Sequence, residues 1–247
     1  MSYQKLDSNY DYFAQEYNEV YAQILSEQTI QILEKLLLVH LPKAANILDL
    51  CCGTGQLAQK LLIKGYQITG LDRSESMLNY ARSNAPKGKF ILCDAQSFEL
   101  PPIFDAVISM YALNYVMNLE ELMGVFRNVN TALKTNGIFI FNLRLEEDFK
   151  SYWDNSTTRV VRDDYAWISQ KSYNFEEKIG QIQITGFQLI EKEWKPLEQI
   201  ILEKTYSRAE VQSALEKVGF RQVSVHEEKH DPVFKERSEY TYFVSYK

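Results

Sequence analysis

One stretch, Ile47-Leu48-Asp49-Leu50-Cys51-Cys52-Gly53-Thr54-Gly55, constrains the fold more than any other part of this chain. An apolar run interrupted by an acid ends in a Gly-x-Gly turn, and Leu57-Ala58-Gln59-Lys60-Leu61-Leu62 follows with helical spacing. That order reads as a buried strand turning sharply into a helix. Glycine allows the turn and lets a ligand approach main-chain N–H groups that a Cβ would block. Gly-x-Gly alone is common in plain turns, so the weight falls on two further acids. Asp72, nineteen positions after Gly53, closes Tyr66-Gln67-Ile68-Thr69-Gly70-Leu71, and Asp94 closes Lys89-Phe90-Ile91-Leu92-Cys93. A carboxylate at the end of the second parallel strand can accept both hydroxyls of a ribose.

Helix and strand patterns alternate from Gln28 to Asn142, which predicts a parallel sheet covered by helices. The spacing of Ile30, Leu33, Leu36 and Leu37 predicts a helix from Gln28 to Val39, stopped by Pro42. Strands are expected at 46–50, 67–71, 90–93, 105–110 and 137–142, with helices at 55–64, 74–84 and 119–134. Ser74 suits an N-cap, and Asn136-Gly137 suits the end of the helix before the fifth strand.

After Asn142 the pattern changes. Ile182-Gln183-Ile184-Thr185 and Phe187-Gln188-Leu189 alternate as half-buried strands do, within a segment crowded by Trp153, Tyr165, Trp167, Tyr173, Phe175, Phe187 and Trp194. An antiparallel insert is expected here, its aromatics forming either a second small core or the inner face of a substrate lid. The ending returns to α/β. Ser207-Arg208-Ala209-Glu210 starts a helix that Gly219 stops, then Phe220 to Val225 and Tyr240 to Tyr246 read as two strands without a helix between them. Such strands pair antiparallel as a hairpin. The expected organisation is an opening lid helix over 1–27, a cofactor-binding Rossmann-like domain over 28–143 and 207–247, and the antiparallel β insert over 144–206.

Three acids at successive strand ends, with Phe104-Asp105-Ala106-Val107-Ile108-Ser109-Met110 after them, resemble the class I S-adenosylmethionine-dependent methyltransferases over residues 45 to 143. The resemblance implies an α/β, Rossmann-like, seven-stranded and mainly parallel sheet whose seventh strand inserts beside the fifth, with the insert after strand five. It implies that Asp49 lies near the methionine amino end of S-adenosyl-L-methionine, that Asp72 binds the ribose, and that Asp94 and Ala95 flank the adenine. Cys51 stands where the family usually has its first glycine. The opening Tyr10-Asp11-Tyr12-Phe13-Ala14-Gln15-Glu16-Tyr17-Asn18 is similar to that of small-molecule methyltransferases, including the amino-sugar N-methyltransferases, so Tyr10 and Tyr17 are expected over the cofactor. Its rival reading is an amphipathic cap helix. The expected cofactor-binding set is completed by Gly53, Gly55, Arg73, Met77 and Met110.

Methyl transfer is an in-line displacement on a methyl the cofactor has already activated, so alignment is the protein's main task and can supply roughly 7–11 kcal/mol of the barrier. Accordingly no fixed triad is expected. Met110-Tyr111-Ala112-Leu113-Asn114-Tyr115 follows the fourth strand, at the edge where ligands of such sheets gather, which makes Asn114 and Tyr115 candidates for orienting the acceptor. A phenol is a poor base at neutral pH, whereas a neutral amine acceptor needs none. His226 and His230 flank the end of the sixth strand, and His226 is the candidate base, with a surface histidine of no catalytic role as the rival reading, while His40 reads as structural. Arg144 and Arg208 are candidates for anionic substrate groups, with an interdomain ion pair as the rival reading for Arg144.

A net charge of −6 argues against a nucleic-acid surface, which needs clustered Lys and Arg. No apolar run approaches the ~20 residues of a membrane span, and Met1-Ser2-Tyr3-Gln4-Lys5 has no signal-peptide character, so a cytoplasmic protein without membrane partners is expected. Three cysteines, two adjacent, fit neither a disulfide framework nor a tetrahedral site, and no metal is expected. The expected function is methyl transfer to an N or O atom of a small-molecule acceptor, by a monomer or homodimer. The rivals are an NAD-dependent oxidoreductase, because Gly53 to Ala58 also satisfies the dinucleotide fingerprint with a final Ala, and an inactive cofactor-binding partner subunit. DNA and glutamine N-methyltransferases usually carry Asn/Asp-Pro-Pro-aromatic after the fourth strand, and Ser109-Met110-Tyr111-Ala112 does not match it.

Overall fold

The computed structural model describes residues 14–147, 149, 153, 157–190, 192–228 and 240–247. Its centre is a seven-stranded sheet formed by β1 (Asn46–Leu50), β2 (Gln67–Asp72), β3 (Lys89–Leu92), β4 (Phe104–Ser109), β5 (Leu133–Leu143), β10 (Arg221–Glu228) and β11 (Tyr240–Tyr246). The order is β10-β11-β5-β4-β1-β2-β3. β11 runs antiparallel between β5 and β10, and the other neighbours are parallel. The hairpin therefore occupies the place beyond β5 where a dinucleotide-binding sheet would continue with a sixth parallel strand.

Strand alternation gives the sheet two apolar faces. Leu48, Leu50, Val107, Phe139, Phe141 and Phe243 pack against α4 (Leu119–Ala132) and α5 (Arg208–Val218). Ile47, Ile68, Ile108, Ile140 and Val244 pack against α1 (Ala22–Leu36) and α2 (Gln56–Ile63). Each such side chain contributes about 1.5–3 kcal/mol by burial. Caps mark the helix starts. Ser74 Oγ accepts from Met77 N at 3.2 Å to open α3 (Glu75–Asn84), and Asn118 Oδ1 accepts from Glu121 N at 2.9 Å to open α4. Ser207 and Glu210 form a reciprocal capping box, and Gly219 ends α5 at φ 105°.

Two element boundaries differ from expectation. The first helix is already helical at 14–16, passes through a π-helical turn at Tyr17–Tyr21 and continues as α1 to Leu36, so the division placed at residue 28 falls inside one continuous helix. Tyr21, Ala22 and Leu25 extend the apolar stripe toward the N-terminus, and Leu37 breaks the helix by leaving helical φ/ψ. Asn136-Gly137 does not end α4, which stops at Ala132. Asn136 adopts φ 63° within a register shift that pairs Phe104 with Leu133 but Ala106 with Ile138, so these two turn residues shape a bulge in β5.

The insert is a second, four-stranded antiparallel sheet in the order β6 (Thr157–Val161), β7 (Tyr165–Asn174), β8 (Ile179–Ile190) and β9 (Glu193–Lys204). The two short runs expected in β8 are one strand, continuous through Gly186. Its inner face carries Trp167, Ile182, Ile184 and Ile201, a small core that also lines a cavity. Phe187 and Trp194 lie on the outer, exposed face. Gly186 sits across from Trp167, and a Cβ there would meet Trp167 Cα at 2.6 Å and collide with Ala166 O. Gly186→Ala is expected to cost about 2–3 kcal/mol as backbone overpacking, read as a lower midpoint in urea denaturation. An unchanged midpoint would show that β7 and β8 can separate freely here.

Candidate functional site

Two adjoining cavities open at the carboxyl edge of the sheet. The first is bounded by the strand ends. Cys51 and Gly53 follow β1, Asp72 and Arg73 close β2, Asp94 and Ala95 follow β3, and Met110 follows β4. Met77 from α3 and Tyr17 from the π-helical turn complete the sides, with Gln199 and Ile201 of the insert across from them. The structure thus brings Tyr17, Cys51, Gly53, Asp72, Arg73, Met77, Asp94, Ala95 and Met110 together around one space. Tyr10 lies outside the described residues.

The turn after β1 is built from left-handed residues at alternate positions: Cys51 at φ 61°, Gly53 at 52° and Gly55 at 82°. The departure from the family pattern at Cys51 therefore occupies a conformation that glycine prefers, and side chains there carry about 1–2 kcal/mol of strain. Gly53 N donates to Asp72 Oδ2 at 2.9 Å and Ser74 N donates to Oδ1 at 3.0 Å, which fixes the Asp72 carboxylate against the turn. Burial raises Asp72 above the ordinary carboxylate range, and these backbone N–H groups oppose the rise. Gly55 does not line the cavity. It begins α2, and a Cβ on it would meet Ala81 Cα at 2.8 Å, so this glycine is required for helix packing.

Asp49 lies beneath, in a recess it shares with Tyr17, Cys51, Gln56 and Tyr111. It is 3% exposed, and its Oδ2 has no hydrogen-bond partner among the described residues. Burial, reinforced by Asp72, pushes its pKa up to about 7. An orphaned buried carboxylate oxygen beside a second acid suits a ligand that brings a cation. The bare Gly53 backbone faces Tyr17 Cε1, where a Cβ would stand at 3.4 Å from that ring. These features fit S-adenosylmethionine, which carries an ammonium group and a ribose diol. Burial holds the Cys51 and Cys52 thiols well above their usual range, so both stay protonated. Among the described residues no cluster of His, Cys, Asp and Glu could hold a metal ion.

The second cavity lies between the opening helix and the inner face of the insert. Tyr17, Tyr111, Tyr115 and Ile201 line both cavities and form the wall between them. Tyr111 is held at φ 58° by its N–H donating to Asn142 Oδ1 at 2.7 Å. Beyond this wall stand Tyr21, Trp167, Ser169, Lys171, Arg144, Glu203 and Tyr240. Arg144 does enter the cavity, and it also makes the interdomain ion pair, with Nη1 at 3.3 Å from Glu203 Oε2 of β9. Arg208 instead pairs with Glu227 on the exposed surface.

Two acceptor-side candidates occupy other roles. Asn114 borders the second cavity, but its amide clamps the stems of the insert. Nδ2 donates to Arg144 O at 3.0 Å and Lys204 O at 2.9 Å, and Oδ1 accepts from Arg144 N at 3.0 Å. His226 lines neither cavity. It sits exposed on the outermost strand β10, with a ring nitrogen 3.2 Å from Ser224 Oγ, and β11, β5 and β4 stand between that strand and β1.

Glu16 was not anticipated. It is 9% exposed and both carboxylate oxygens accept from Trp167 Nε1, at 3.2 and 3.1 Å, tying the opening helix to β7. Burial raises its pKa to about 7 against the opposing hydrogen bonds of Trp167 and Tyr21. Nothing distinguishes this acid from other helical acids until the insert folds over it. Gln199, Ile201, Lys171 and Glu203 were equally hidden, since their place depends on the register of β9 and β7.

Residues 47–137 match the model of a methyltransferase domain. The chain is 27% identical to the YqeM protein of Bacillus subtilis over 213 residues, 84% of this chain and 86% of that one. It is 29% identical over 138 residues to the dTDP-3-amino-3,4,6-trideoxy-alpha-D-glucopyranose N,N-dimethyltransferase of Streptomyces venezuelae, 55% of this chain and 57% of that one. Among solved structures, an S-adenosylmethionine-dependent methyltransferase from Clostridium acetobutylicum superposes with a TM-score of 0.74 at 20% identity, covering 96% of this chain and 98% of that one.

The glycine turn yields a paired prediction. Cys51→Gly relieves left-handed strain while losing a partly buried side chain and constraining the unfolded chain less, so stability is expected to change by less than about 1 kcal/mol. Gly55→Ala is expected to cost about 2 kcal/mol or more. Chemical denaturation of both variants checks the contrast, and equal effects would contradict it.

Proposed function

We infer that this chain, a class I S-adenosylmethionine-dependent methyltransferase, moves the methyl group onto a nitrogen or oxygen atom of a small acceptor seated in the second cavity. The observation that carries this reading is the shared wall of Tyr17, Tyr111, Tyr115 and Ile201, where the two cavities meet. S-adenosylmethionine supplies a methyl already activated on a sulfonium. Asp49 would hold the amino end, Asp72 the ribose hydroxyls, and Asp94 with Ala95 the adenine side, with Arg73, Met77 and Met110 shaping the space between. Tyr17 and Tyr115 orient the acceptor from the wall and keep water out. Burial pushes the Tyr17 phenol far above its ordinary range, so it stays a hydrogen-bond donor and cannot act as a base.

The same wall favours nitrogen over oxygen. Among its described residues the only titratable groups are phenols, and a phenol that keeps its own proton cannot take one from a hydroxyl acceptor. A neutral amine attacks with its own lone pair and releases its proton afterwards. The amino-sugar relative's activity toward an amine is in keeping with this choice. Three free cysteines in an acidic chain are in keeping with work in the reducing cytoplasm, and no described helix is long and apolar enough to cross a membrane.

Calorimetric titration with S-adenosylhomocysteine tests the reading through Asp49. In the free protein this carboxyl is half-protonated near pH 7, and an incoming ammonium favours its ionised form. Binding at pH 6 is therefore expected to release a proton, and affinity to fall by up to about tenfold per pH unit below 7. Above pH 7.5 affinity levels off. Asp49→Asn is expected to weaken binding at pH 8 and to flatten the profile. Absence of S-adenosylhomocysteine binding by the native chain, or NADH binding in its place, would overturn the reading.

A further inference from the structure

Three consecutive residues of the opening helix face three different units. Successive positions of a helix point about 100° apart, so neighbours on the chain meet separate surroundings. Glu16 reaches the insert through Trp167 Nε1. Tyr17 stands in the wall of the first cavity, its Cε1 3.4 Å from where a Cβ on Gly53 would lie. Asn18 turns to the glycine turn itself. Its Oδ1 accepts from Gln56 Nε2 at 2.8 Å and from Asn84 Nδ2 at 2.7 Å, and its backbone oxygen accepts from the same Gln56 nitrogen at 3.3 Å.

The donors that meet Asn18 also hold the turn that shapes the first cavity. Gln56 is the first residue of α2, and its Oε1 accepts from Thr54 Oγ1 at 2.6 Å. Asn84 is the last residue of α3, and its Nδ2 also donates to Thr54 O at 2.7 Å. Thr54 lies between Gly53 and Gly55 and is fully buried. Asn18, Gln56, Thr54 and Asn84 therefore make one closed circuit of hydrogen bonds, spanning 38 and 66 positions of sequence from Asn18. Two amide donors converge on one oxygen, which uses both of its lone pairs. A helix that merely covered the sheet with apolar side chains would need no such acceptor. The π-helical turn starts at Tyr17, between the Glu16 and Asn18 anchors, and single π-turns recur where a helix serves a site.

We propose that Asn18 is a positioning residue for methyl transfer: by fastening the opening helix to the glycine turn, it seats the Tyr17 ring against Gly53 and holds the first cavity closed around its ligand. The identity of that ligand as S-adenosylmethionine rests on the methyltransferase reading, whereas the fastening itself does not. Glu16 is the opposite anchor, so loss of the Asn18 acceptor frees Tyr17 from the turn and leaves this part of the helix tied to the insert. Closure over a cavity slows both entry and exit of a ligand. An anchor that only stabilised the fold would leave the entry rate unchanged.

Surface plasmon resonance of the full chain with S-adenosylhomocysteine tests this role. Asn18→Leu keeps the size of the side chain and removes the acceptor. It is expected to raise the dissociation rate about tenfold, the worth of two ordinary hydrogen bonds, and to raise the association rate as well. Asn18→Asp restores an oxygen for both donors and is expected to bring both rates back to within about threefold of the native values. In a Tyr17→Ala background, Asn18→Leu is expected to change the rates by less than about twofold, because the two residues act through one side chain. Asn84→Leu removes one donor from the other side and is expected to move the rates in the same direction, which serves if Asn18→Leu does not fold. The proposal is overturned by an unchanged dissociation rate or a slower association in Asn18→Leu, by no recovery in Asn18→Asp, or by an undiminished effect in the Tyr17→Ala background. If the native chain binds no S-adenosylhomocysteine, the methyltransferase reading falls instead, and hydrogen exchange then decides on the fastening. Asn18→Leu is expected to speed exchange of the Tyr17–Tyr21 amides about tenfold, and unchanged exchange removes the role of Asn18.

Discussion

The carboxylate of Asp49 is the constraint on which the rest of the site depends. It is placed at the end of the central strand, out of water, beside a second acid, with one oxygen unmatched among the described residues. Burying a carboxylate this way is unfavourable unless it is neutralised or meets a cation. The fold tolerates it because β1 is flanked on both sides by parallel neighbours whose hydrophobic faces are complete. Its folded pKa of about 7 stands above the ordinary 3.8, so its stability contribution is full below pH 4 and is lost as pH rises through 7. A bound cation reverses that loss, which couples the stability of the sheet edge to occupancy.

Glu16 repeats the arrangement on the other side of the cavities. Its folded pKa of about 7 likewise stands above the ordinary 4.5, so its contribution too fades as pH rises through neutrality. Here the carboxylate meets an indole N–H, not a cation, and the bond joins the opening helix to the insert. The π-helical turn that begins at the next residue aims Tyr17 into the shared wall and Tyr21 into the second cavity. The wall thus depends on three separate units held together by a few polar links: Glu16 to Trp167, Asn114 to both insert stems, and Arg144 to Glu203. Methyl transfer needs alignment more than acid–base power, so rigid links of this kind serve the chemistry directly.

What the residues revealed in advance divides along sequence distance. The acids at strand ends, the glycine turn and the final hairpin are local patterns, and the strands they predict lie within a few residues of those observed. Most residues lining the first cavity were legible because they sit within a few positions of a strand end. Most residues lining the second cavity were not, because they come together where β5, β7, β9 and the opening helix converge, and no local period encodes the register of an insert. Asn114 shows the limit well. Its position after β4 suggested contact with substrate, yet its amide is consumed by backbone groups thirty and ninety residues away. The reverse holds for Cys51, where the mismatch with glycine looked like a loss and the backbone nevertheless keeps the left-handed turn.

The two cavities differ in what they present to a ligand. Asp72 and Asp94 line the first, with Asp49 in the recess beneath it, and the side chains of Tyr17, Tyr111, Tyr115 and Ile201 separate it from the second. On the reading proposed above, transfer to a neutral amine would move positive charge away from these acids and across that wall. The wall offers no carboxylate to receive it, so selection of the acceptor would rest on how well the wall aligns its lone pair with the activated methyl, the term that alignment alone can supply.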